Sequence, residues 1–103
     1  MSRITTHVLN TASGRPAAGV AVTLEFAGER LAESVTDGDG RARNLLPPEH
    51  RLAPGLYCLR FHTAAVSPFF PEIEITFRIE NPEQHYHVPL LLSPYGYTTY
   101  RGS

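Results

Sequence analysis

The chain has 103 residues, 42% hydrophobic and 18% charged, with a formal net charge of −1 at pH 7. That size and mix read as one ordinary globular domain over residues 1–103, and the lack of a basic excess argues against nucleic acid as a partner. No apolar run nears the ~18 residues of a membrane span, and the opening MSRITTHVLN lacks a signal-peptide core, so a cytoplasmic protein without membrane association is expected.

RITTHVLN at the start alternates and is rich in β-branched residues, which predicts a strand. TASGRPAAG is turn chemistry. VAVTLEF then puts Val20, Val22, Leu24 and Phe26 on one face with a period of two. AGER turns the chain, and LAESVT is a weaker strand. DGDG, residues 37–40, is a further turn cluster. It has a slight calcium-loop character, but a bidentate Glu would be needed at the twelfth position, where Pro48 stands.

RARNLL predicts a short strand, PPEHRLAPG a proline-rich connection and GLYCLRF another strand. Cys58 lies in that strand. As the sole cysteine it forms no intrachain disulfide or thiolate cluster, and it reads as a buried, inert thiol. HTAAVSPFFP is irregular. EIEITFRIE predicts the clearest strand, with Ile73, Ile75, Phe77 and Ile79 inward and Glu72, Glu74, Thr76, Arg78 and Glu80 outward. After the ENPEQ turn, HYHVPLLL and GYTTYRG make a last pair joined at SPYG. With about seven or eight short strands and no helical period, an antiparallel β-sandwich is expected.

All nine basic residues are arginine, so no Schiff-base lysine exists. A nucleophile elbow, a P-loop and a dinucleotide fingerprint are all absent. Five histidines remain. A strand puts His85 and His87 on one face, and His7 shares a face with Thr5 and Leu9. Such imidazoles serve as zinc ligands, as general bases or as plain surface residues, and spacing alone leaves all three open. A zinc reading would need His7 as third ligand. A hydrolytic reading would use a histidine to activate water, with neighbouring guanidiniums at the developing oxyanion. Arg41 and Arg43 share one strand face, and Arg101 offers a planar cationic fork near the end of the chain.

HVLNTASGRPAAGVAV, residues 7–22, resembles the N-terminal signature of the transthyretin superfamily. YHVPLLLSPYGYTT, residues 86–99, resembles its C-terminal signature, and TDGDGRARNL and APGLYCLRF fit the middle of the same fold. The closing YRGS resembles the hallmark of the hydrolase branch, the 5-hydroxyisourate hydrolases or transthyretin-related proteins. The resemblance implies a sandwich of two four-stranded sheets, and four chains assembled as a dimer of dimers around a central channel. It also implies hydrolysis of 5-hydroxyisourate, in urate degradation, at sites within that channel and without a cofactor or metal. Carried over residue by residue, the catalytic positions fall on His7, Arg41, His87 and Ser103, and the substrate-binding positions on Tyr100, Arg101 and Gly102. A non-catalytic small-molecule binder of the same fold is the alternative, and retention of the polar set favours the hydrolase. Two departures stand out. The family's short helix after GLYCLRF has little room before Pro68 and Pro71 and is expected to be truncated or absent. Asn10 stands where an aspartate is common.

Overall fold

A computed structural model describes residues 3–47 and 49–102. They form ten strands, and among the described residues no helix occurs: β1 (Ile4–Asn10), β2 (Arg15–Pro16), β3 (Ala21–Phe26), β4 (Glu29–Val35), β5 (Arg41–Ala42), β6 (Gly55–His62), β7 (Glu72–Ile79), β8 (Tyr86–His87), β9 (Leu90–Ser93) and β10 (Gly96–Thr99). One sheet has the order β4-β3-β6-β7 and is antiparallel throughout. The other follows β10-β9-β1-β2, with β5 and β8 also paired to β1. β8 and β9 are one strand interrupted at Val88 and Pro89, where the proline has no N–H to give the ladder. β2 and β5 occupy the opposite flank of β1, pairing Leu9 with Pro16 and His7 with Arg41. The sheet is therefore four strands wide, as the resemblance implied.

It is not wholly antiparallel, however: β1 runs parallel to β8 and β9. Parallel neighbours need a long crossover. Here the chain between them builds the whole second sheet, so the first strand lies beside one of the last.

Alternation fills the space between the sheets. Ile4, Val8, Leu90 and Leu92 come from one layer and Val22, Leu24, Leu59, Phe61, Ile73 and Ile79 from the other, all buried. Each such side chain contributes about 1.5–3 kcal/mol by leaving water. The β7 alternation is as expected, with its charged residues on the solvent face. RARNLL pairs only at Arg41 and Ala42. Leu45 and Leu46 beyond them turn into the core without a ladder.

The segment 62–71 folds without a helix. A single turn remains, in which Val66 and Ser67 N–H donate to the Thr63 carbonyl at 3.0 and 2.9 Å. The Ser67 hydroxyl then accepts from Phe70 N–H at 3.0 Å and closes the loop. Asn10 works as a turn-former. Its side-chain oxygen accepts from Ala12 and Ser13 N–H at 3.0 and 3.2 Å, a task an aspartate would perform with either oxygen.

Candidate active site

The strand that opens the fold also starts the site. Ile4, Thr6 and Val8 of β1 point into the sandwich, so Thr5 and His7 point away from it. Ladder register does the rest. Thr5 is paired with His87, and His7 with Arg41. Residues paired across a ladder share a face. Three segments far apart in sequence thus set His7, Arg41 and His87 side by side on the outer face of one sheet.

Arg41 is aimed by the turn before it. One oxygen of Asp37 accepts from Asp39 and Arg41 N–H at 2.9 and 3.1 Å, and the other accepts from Arg43 Nε at 3.0 Å. The Arg41 N–H bond, helped by the Arg43 guanidinium, holds the Asp37 carboxyl below the usual carboxylate range. Asp39 takes a second Arg43 bond at 3.3 Å. The carboxylates that gave the turn its calcium-loop character are thus occupied in shaping it. Gly40 has φ of 76° and lies so close to β1 that a Cβ would sit 2.4 Å from the Val8 carbonyl and 3.2 Å from the His7 ring. A glycine is needed there on both counts. Among the described residues no hydrogen bond or ion pair engages the Arg41 guanidinium, and it stands exposed.

Arg41, His85 and His87 line a cavity of about 460 Å³ with Thr5, Thr6 and Asn44. The two imidazoles stand nearly parallel, their centres 6.4 Å apart. The Thr5 hydroxyl lies between them, 3.0 Å from His85 Nε2 and 2.8 Å from His87 Nδ1. His87 is half-buried, and its pKa falls below the ordinary 6.5. Burial is the main cause; the positive charge of Arg41 adds to it, as do His85 and His7 when they are protonated. His87 is accordingly an uncharged base at neutral pH. Among the described residues no three His, Cys, Asp or Glu side chains are grouped to hold a metal ion.

The tail divides. Gly102 N–H donates to the His87 carbonyl at 2.8 Å, and a Cβ on Gly102 would come within 2.6 Å of the His87 ring. Tyr100 and Arg101 instead line a neighbouring cavity of about 260 Å³ with Tyr86 and Val88. The Arg101 guanidinium sits 4.4 Å from the Tyr86 ring centre and donates to the Gln84 side chain at 3.1 Å. Of the expected set, a single chain therefore puts Arg41 and His87 on one cavity, with His7 beside Arg41 on the ladder and Gly102 against the His87 ring, and leaves Tyr100 and Arg101 at the neighbouring one. Ser103 lies outside the described residues. Sequence reasoning assigned nothing to Thr5 and left His85 open between zinc ligand, general base and surface residue. Their shared face with His7 and with His87 was the available signal.

A sequence profile of the HIUase/Transthyretin family matches residues 4–102. The 5-hydroxyisourate hydrolase of Caulobacter vibrioides is 50% identical over 117 aligned positions, covering 100% of both chains. The solved 5-hydroxyisourate hydrolase of Klebsiella pneumoniae superimposes with a TM-score of 0.85 at 39% identity, again over 100% of each chain. Sea bream transthyretin, solved with thyroxine, gives the same TM-score at 32% identity, over 98% of this chain and 95% of that one. With the profile spanning both sheets and the full-length likeness, the chain belongs to the HIUase/Transthyretin family.

Proposed function

We propose that the chain hydrolyses 5-hydroxyisourate to 2-oxo-4-hydroxy-4-carboxy-5-ureidoimidazoline in urate degradation, using a histidine-activated water. The observation that carries this reading is the cavity in which uncharged, half-buried His87 faces an Arg41 guanidinium that no other described residue engages. Relatives named 5-hydroxyisourate hydrolase match this chain end to end, which supports the substrate.

His87 takes a proton from water, and the resulting hydroxide adds to the ring carbonyl carbon. Negative charge gathers on the former carbonyl oxygen, where the Arg41 guanidinium meets it. The carbon–nitrogen bond then cleaves, and the ring nitrogen leaves with a proton returned by a histidine. His7, beside Arg41 on the ladder, helps to hold the water. Gly102 seats the His87 ring. Substrate binding by Tyr100 and Arg101, and a catalytic part for Ser103, belong to the assembled form, a dimer of dimers in which the outer face of β1 and β8 meets a neighbour. Large exposed aromatics, Phe69 at 62% and Tyr95 at 75%, are consistent with further burial between chains. A lone cysteine without a disulfide suits a reducing compartment, and we place the reaction in the cytoplasm.

The test is spectroscopic. 5-Hydroxyisourate generated freshly with urate oxidase should decay faster with this protein than in buffer. The likeness to sea bream transthyretin favours a second reading, a non-catalytic small-molecule binder. Decay at the buffer rate would select that reading and reject hydrolysis.

A further inference from the structure

The Thr5 hydroxyl lies within hydrogen-bond distance of one nitrogen on each of two imidazoles. A threonine hydroxyl has one proton to donate. It therefore donates to one ring and accepts from the other, so two neutral rings around it take opposite roles. In one arrangement His87 donates Nδ1–H to Thr5, and Thr5 donates to a bare His85 Nε2. That leaves His87 Nε2 unprotonated and basic. In the reverse arrangement His87 carries its proton on Nε2 and is no base.

We propose that Thr5 and His85 are positioning residues that hold His87 in the first arrangement and relay its proton to the more exposed His85. The proposal rests on the hydrolase reading. As His87 Nε2 takes a proton from water, its Nδ1 proton passes to Thr5 Oγ1, and the proton Thr5 already held passes to His85 Nε2. Thr5 loses one O–H and gains one. His87 ends neutral with its proton on Nε2, placed to protonate the departing ring nitrogen. His85 ends as an imidazolium. When the ring nitrogen has taken the Nε2 proton, the relay runs backwards and restores the starting state.

The advantage is electrostatic. An imidazolium at position 87 would be half-buried and would face Arg41 of β5 and His7 of β1, with Gly102 of the tail packed against the ring. Position 85 is the more exposed of the two in the single chain, so the same charge there keeps more of its hydration. The route also removes the need for a separate acid, since one ring serves as base and then acid.

The test uses the full-length protein labelled with 15N in its histidines, and three variants. In long-range 1H–15N spectra above pH 7, wild-type His87 should carry its proton on Nδ1, and His85 should have a bare Nε2. Thr5→Val should abolish that tautomer and lower kcat by at least about tenfold with KM nearly unchanged. Thr5→Ser, which keeps the hydroxyl, should restore both. His85→Gln, at an exposed position, keeps an acceptor for Thr5 but takes no proton, and should lower kcat to a similar degree while leaving the fold intact. A wild-type spectrum with the His87 proton on Nε2 would overturn the proposal. So would unchanged kcat in both Thr5→Val and His85→Gln when the wild type is active. A wild type that hydrolyses nothing would instead reject the hydrolase reading itself, and the relay's catalytic role with it.

Discussion

Replacing His87 by alanine removes the proposed base from the outer face of its sheet without opening the core. Turnover should fall by at least ~10²-fold in the decay assay, with circular dichroism unchanged. The charge beside that base sets the pH profile. Since the pKa of His87 is lowered, its basic form survives below pH 6.5, and the acid limb of kcat/KM should lie below that value. Arg41→Gln deletes one of the positive charges responsible. The limb should then move up in pH, though not the whole way to 6.5, because burial is the larger cause and remains. A rate–pH series on both proteins reads this directly. The same shift acts on folding. As pH falls below 6.5 the unfolded chain protonates at position 87 before the folded chain does, so the native state loses stability between 6.5 and the lower folded value. Above 6.5 this group contributes nothing. At this scale the sequence was legible for residue types and sheet faces. Two histidines spaced by two and a third on the first strand marked the face. Thr5 escaped notice because its role lies in one oxygen between two rings, and no spacing rule encodes a distance of 2.8 Å.

Among the strands, the hairpin between β3 and β4 carries an evident local conflict. Phe26 pairs with Glu29, and both residues between them have positive φ, 54° for Ala27 and 79° for Gly28. That matches the two-residue turn whose twist suits a hairpin, and it favours Asn-Gly over Ala-Gly. Ala27→Asn should stabilise the protein by about 0.5–1 kcal/mol, given a left-handed cost of roughly 1–2 kcal/mol for alanine. Urea unfolding measures it, and a lower midpoint would refute the assignment. Gly40 is the opposite case, since its missing Cβ is what lets the turn press on β1. Gly40→Ala should weaken both stability and turnover, seen as a lower melting temperature and a slower decay assay. β7 could be read from its alternation, because it has one buried and one wet face; in β3 the inward Val22 and Leu24 were legible, though Thr23 between them is buried as well. β5 was read too long, as RARNLL, because its two paired residues, Arg41 and Ala42, are fixed by Thr6 and His7 across the ladder rather than by their own pattern. The segment 62–71 was foreseen without its helix, since Pro68 and Pro71 obstruct one, whereas the Thr63 and Ser67 bonds that replace it are tertiary detail.

For the molecule as a whole, the proposed tetramer gives the broadest prediction. Sedimentation equilibrium should return four times the 11.4 kDa of one chain, and a monomer at catalytic concentrations would refute an intersubunit site. The two-sheet sandwich was legible from strand count and turn spacing. The parallel placement of β1 beside β8 and β9 was not, because alternation reports which face a residue takes and is silent about strand direction.

That placement governs when the protein becomes competent. Thr5 and His87 are joined across 82 residues, so the ribosome delivers one half of the cavity well before the other. A nascent chain can pair β3, β4, β6 and β7 early, yet β1 must wait, one flank open, for partners still unmade. Closing so long a loop is slow. Ring-opening activity should therefore be the final property a refolding sample recovers, trailing the far-ultraviolet signal of its strands.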